Sequence, residues 1–236
     1  MSDYLELNRE YAKKLKSIMR LRGEPIAVKL VREGEDYPEC TNSVTAGMSH
    51  CQAIFRAKEG ECIRLPSGMQ NCHVGASVLG MLETPEKVVT GEFHGSMGMH
   101  DSDNAAGAMI SSRMVLPLGV SGEAVCPLED ADFAPDVVIL IDLPERIYWV
   151  ISLMTAEKGG RATFNTAPFQ CTCEDITTIP MLTGSPNISL GCFGCRKRTE
   201  MSVDEVVCGI PYALIPSYVK RLERYEGDIM QKARRD

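Results

Sequence analysis

A chain of 236 residues with 44% hydrophobic and 24% charged positions can bury a sizeable core of its own, so its ten cysteines are not needed as staples. A net charge of −7 argues against an extended phosphate-binding surface and against nucleic acid as the main partner. The longest strongly apolar run, Val137 to Leu143, is interrupted by Asp142 and falls far short of the roughly 20 residues a membrane span requires.

The opening stretch MSDYLELNREYAKKLKSIMRLRG mixes charged and apolar residues without an uninterrupted apolar segment, so no signal peptide is expected and a cytoplasmic location is. Within it, Tyr4, Leu7, Tyr11, Leu15 and Ile18 recur at helical spacing, predicting a helix over 3–20 with Ser2 as its cap. Gly23 and Pro25 end it. IAVKLV (26–31) is the first strand, 34–47 a long loop, and HCQAIFRAKEG after Ser49 a short helix with Cys51 in its first turn. ECIRL reads as a strand and NCHVGASVLGML as a second short helix with Cys72 at its start.

The Gly- and Met-rich stretch 91–100 reads as a loop, followed by a helix over 103–113. Residues 123–128 and 136–141 are strands, the second continuously apolar after Asp136 as in a sheet covered on both faces. Pro144 opens a helix to Met154, and 161–166 forms another strand, giving a βαβ-like unit. Residues 188–190 make a short strand. Ser202 and Glu205 have capping-box spacing and restart a helix, and 216–232 form the last one. The expected fold class is α/β or α+β: a mixed sheet flanked by helices, as a single domain over 1–236 or two interleaved lobes. Self-association is compatible with this size.

Ten cysteines in a chain expected to meet a reducing compartment point to metal binding or redox chemistry rather than to disulfides. Cys51, Cys72, Cys171 and Cys192 each lie in or beside a turn at the edge of a predicted element, where exposed backbone N–H groups favour anionic sulfur. Gly75 and Gly194 let the backbone approach a bulky ligand. Arg196, Lys197 and Arg198 would offset the charge of a thiolate-ligated cluster. Four dispersed thiolates suit an iron-sulfur cluster, expected to be 4Fe-4S and to serve electron transfer or small-ligand activation in anaerobic metabolism.

Zinc is the alternative, because Cys171/Cys173 and Cys192/Cys195 form two close pairs; a thiol redox pair at Cys192/Cys195 is a third reading. Cys40, Cys62, Cys126 and Cys208 read as small buried hydrophobes. His50 and His73 adjoin ligand candidates and could donate hydrogen bonds to cluster sulfur, relay protons or simply be polar residues at helix starts. A ligand-binding module with its pocket lined by 91–100 is the reading of a different class. A redox partner protein or a small-molecule ligand is the expected partner. No catalytic triad, P-loop or dinucleotide fingerprint is present.

Taken together, GEPIAVKL, HCQAIFRAKEGE, NCHVGASVLGM, APDVVILIDLPERIYWVI, NISLGCFGCR and DEVVCGIPYALIPSYVKRLERY resemble the DUF169 family of archaea and anaerobic bacteria over nearly the whole chain. Cys51, Cys72, one of Cys171 and Cys173, and Cys192 match that family's recurrent cysteines. The resemblance therefore implies a four-cysteine site without implying an activity. Cys195 stands where the family pattern has a small residue such as alanine.

Overall fold

The computed structural model describes residues 3–169 and 171–233. Helix α1 (Asp3–Met19) forms as its periodicity predicts, while Ser2, its expected cap, lies outside the described residues. Its buried face is rotated from the expected one: Ala12, Leu15, Ile18 and Met19 are buried, whereas Tyr4 and Leu7 are exposed. Asn8 explains the rotation. Its amide donates to the carbonyls of Ala131 and Phe133, both at 2.9 Å, and its carbonyl accepts from the Tyr212 hydroxyl at 2.7 Å. A fully satisfied amide takes the buried position that the apolar pattern assigned to Leu7.

Seven strands form one sheet: β1 (Ile26–Arg32), β2 (Asn42–Ser43), β3 (Ile63–Pro66), β4 (Val120–Pro127), β5 (Val137–Asp142), β6 (Asn187–Ser189) and β7 (Val206–Pro211). Their order is β2-β3-β4-β1-β5-β7-β6. The β2–β3 pair is parallel and the other neighbours are antiparallel, so the sheet is mixed and the class is α/β. Alternate side chains feed two cores. Ala27, Ala124, Cys126, Val138, Leu140 and Cys208 pack beneath α1, α7 (Pro144–Thr155) and α10 (Ile215–Glu226). Ile26, Val28, Val125, Ile139, Ile141 and Val207 face the opposite layer, which carries α2 (His50–Lys58), α3 (His73–Val78) and α9 (Phe193–Arg198). Cover on both faces is why β5 is apolar from Val137 to Ile141.

Four expectations are corrected. Residues 161–166 form no strand, and at Asn165 the backbone pairs with the Asn187 side chain instead: Asn165 N–H donates to Asn187 Oδ1 at 2.9 Å, and Asn187 Nδ2 donates to the Asn165 carbonyl at 2.7 Å. The βαβ unit is therefore not formed, and β5 pairs antiparallel with β7 instead. Ser202 N–H does donate to the Glu205 carboxylate at 3.0 Å, yet no helix follows. The β-branched, wholly buried VVCGIP continues directly as β7.

The stretch 91–100 is partly helical: α4 (Glu86–Val89) is followed by α5 (Glu92–Gly95), with α6 (Asp103–Ser111) beyond. Gly91 makes the turn between α4 and α5 at φ +82, and a Cβ there would meet the Asp103 carbonyl oxygen at 2.1 Å. The expected last helix is broken at Gly227 into α10 and α11 (Ile229–Ala233).

Candidate functional site

Four separate segments of the second layer end in thiols. Ser49 caps α2 with its side chain accepting from Gln52 N–H, and Gln52 returns the bond, which fixes Cys51 in the first turn. Cys72 is itself the cap of α3, its sulfur accepting from Gly75 N–H at 3.4 Å. Cys192 plays the same part for α9, accepting from Cys195 N–H at 3.4 Å. Cys173 stands immediately before a π-helical turn, Glu174–Thr178, that leads into α8 (Ile179–Thr183). Such turns re-aim side chains at the cost of regular hydrogen bonding.

Cys51, Cys72, Cys173, Cys192 and Cys195 line one cavity of about 560 Å³. Gly75 is what lets them converge: a Cβ on it would lie 2.7 Å from Cys173 Sγ and 3.4 Å from Cys72 Sγ. Cys171, expected as the third ligand, is not on this wall. Its thiol donates to the Phe169 carbonyl, and Cys173, two residues on, takes the place facing the cavity. Cys126 and Cys208 belong to the core on the opposite face of the sheet, with Cys40 and Cys62 packed against it. All ten cysteines are free. Among the described residues, no three His, Cys, Asp or Glu side chains are grouped to hold a single metal ion.

His73 lines the cavity and His50 does not. The His50 ring is fully buried, with Nδ1 against the Glu123 carboxylate and Nε2 at 2.8 Å from Thr177 Oγ1. Gln70 Nε2 donates to the other Glu123 oxygen at 2.7 Å. This polar knot ties the start of α2 to β4 and to the π turn, behind the thiols rather than among them. Phe93 and Met97 also line the cavity, so the pocket expected from 91–100 and the cysteine site are one and the same. Lys87, which no sequence signal singled out, stands on the same wall.

The protein environment favours neutral thiols. Contact with Cys173 and burial hold Cys51 well above the ordinary thiol pKa. The hydrogen bond from Cys51 favours the Cys173 thiolate, but burial together with the neighbouring Cys72, Cys192 and Glu123 outweighs it and the pKa is pushed up to about 12. Cys195 is raised by its contact with Cys51 and by burial, and Cys72 by burial, opposed by the Gly75 N–H. Buried thiols of this kind, Cys195 among them, do not become nucleophiles unaided. A bound cation would reverse the balance, since metal thiolates form with loss of the proton.

Beside this wall, burial pushes the Asp175 carboxyl up to about 7, against the lowering effect of hydrogen bonds from Ser189 and Thr166. Its unfolded value is near 3.8, so the folded state holds the extra proton between these limits and loses stability as pH rises through them. Unfolding free energy is expected to fall from about pH 4 to about pH 7 by roughly 1 kcal/mol per pH unit. Asp175→Asn should flatten that slope in urea titrations, and an unchanged slope would contradict the assignment.

A mixed sheet clad on both faces, with five thiols lining a cavity on one of them, defines an α/β protein with a cysteine-lined site. The chain belongs to the DUF169 family, whose model, described as "Uncharacterised ArCR", matches residues 14–221. It is similar to "Uncharacterized protein MJ0308" of Methanocaldococcus jannaschii, at 27% identity over 219 residues covering 92% of this chain and 94% of that one. No solved structure matches it. Among the described residues, no helix is long and apolar enough to cross a membrane.

Proposed function

We propose that the protein holds a 4Fe-4S cluster on Cys51, Cys72, Cys173 and Cys192, in a reducing compartment such as the cytoplasm. The observation that carries this reading is the convergence of thiols from four segments on the wall of one cavity. A cluster takes one thiolate per iron and is supported by backbone N–H groups aimed at sulfur, as those of Gly75 and Cys195 are. Cys195 is fully buried against Cys51 and Thr199, and its part is to pack and orient the Cys51 sulfur.

A cluster in this position supplies one-electron chemistry or an iron atom for a small ligand. The chain supplies a dry floor beneath it, because the side chains under the wall, Ile54, Leu79 and Ile176 among them, are fully buried and apolar. Protein purified without oxygen is expected to be brown and to contain iron and acid-labile sulfide in near-equal amounts. Colourless protein with stoichiometric zinc and no sulfide overturns the proposal.

A further inference from the structure

The thiols occupy only one wall of the cavity. Lys197 and Arg198 stand on its rim, in a protein of net charge −7, and among the described residues neither pairs with a carboxylate. Lys87, on the same rim, is held by Glu92 at 2.9 Å, and Glu86 is the one acidic residue among the described lining residues. Arg198 is near enough to Cys72 for its charge to favour the thiolate, so the cationic end of the cavity reaches toward the sulfur wall.

Besides Ser49, Asn71 and His73, the lining offers exposed apolar side chains: Phe93 is 36% exposed, Met97 39% and Phe193 47%, with the Lys197 ammonium 5.7 Å from the Phe193 ring centre. Scattered exposed apolar side chains are ordinary, but here an aromatic pair and a thioether gather at one concave mouth beside two cations. A volume of about 560 Å³ suits a small molecule and is too confined for a folded partner.

We infer that this cavity binds a small organic anion, a carboxylate with an apolar or aromatic body, its charge on Lys197 and Arg198 and its body between Phe93, Met97 and Phe193. The inference rests on the cluster reading only for what the bound molecule is presented to; the recognition itself rests on the cavity. Cations with no internal partner favour a ligand that brings its own negative charge, while the aromatic rings contribute most when they remove apolar surface from water.

The test is calorimetric titration of the full-length, anaerobically purified protein with benzoate, benzyl alcohol and inorganic phosphate, before and after metal removal by chelator. Benzoate should bind at least about tenfold more tightly than benzyl alcohol, which has the ring without the charge, and than phosphate, which has charge without the ring. The Lys197→Gln/Arg198→Gln variant should weaken benzoate by at least about tenfold, the worth of one charge-assisted hydrogen bond. Arg224→Gln, on an exposed helix face beside Tyr225, should leave it unchanged. Equal affinity for benzoate and benzyl alcohol, equal affinity for benzoate and phosphate, or an unaffected and folded double variant each overturns the inference. Selective benzoate binding by protein without iron or sulfide would uphold the anion site while refuting the cluster; iron and sulfide without benzoate binding would do the reverse.

Discussion

Replacing Glu123 with alanine is expected to lower the unfolding free energy by about 3–5 kcal/mol, the usual cost of deleting one partner of a fully buried polar pair. The carboxylate is inaccessible to solvent and serves two partners at once, His50 Nδ1 and Gln70 Nε2. Its loss leaves both donors without water or protein to satisfy them. Glu123→Gln keeps the shape and one acceptor and should cost less, about 1–3 kcal/mol. The paired replacement His50→Leu/Glu123→Leu removes one donor together with the acceptor but leaves Gln70 Nε2 and Thr177 Oγ1 unpaired, and should recover only part of what the alanine variant loses.

Denaturant titrations of the three variants check this directly. A loss below about 1 kcal/mol for Glu123→Ala would mean that the knot between α2, β4 and the π turn does not hold the fold. The consequence for the site is positional. Because His50 precedes Cys51 and Thr177 follows Cys173 on the π turn, the same knot fixes the segments that carry two of the proposed ligands.

Where local chemistry decides the structure, the sequence was legible. The short helix after Ser49, Pro144 at the first position of α7, and the apolar run of β5 all follow from residues near one another in the chain. Where a distant partner decides, it was not. Residues 161–166 have strand composition, but the backbone of Asn165 is bonded by the Asn187 side chain, 22 residues away, rather than by a neighbouring strand. At 202–205 the local capping signal is real, and the buried β-branched residues after it override it. The candidate site divides in the same way. Helix-start position singled out Cys51 and Cys72, and a turn after a short strand singled out Cys192, whereas the choice between Cys171 and Cys173 depends on a π turn that composition does not announce. That turn is pressed onto β7, since a Cβ on Gly209 would lie 1.9 Å from the Ile176 carbonyl oxygen. A side chain at that position would push the turn that follows Cys173 off β7.

Cys173→Ser is therefore expected to remove most of the iron and acid-labile sulfide from anaerobically purified protein, while Cys171→Ser retains both. The two substitutions are chemically identical and two residues apart, so general fragility of the segment would affect them alike. The structure separates them by direction. Cys173 lies on the cavity wall against Cys51 and across Gly75 from Cys72, whereas Cys171 is spent on the Phe169 carbonyl. Gly75→Ala supplies an independent check without touching a sulfur. Its methyl group would stand 2.7 Å from Cys173 Sγ, closer than side-chain atoms ordinarily approach, and either α3 or the Cys173 thiol must give way. Alanine suits a helix better than glycine by up to about 1 kcal/mol, so a destabilised fold is not the expected cause of metal loss in this variant. Iron and sulfide should fall in Gly75→Ala with far-ultraviolet circular dichroism unchanged. Full metal content in both Cys173→Ser and Gly75→Ala, or loss confined to Cys171→Ser, would move the ligand set away from the cavity.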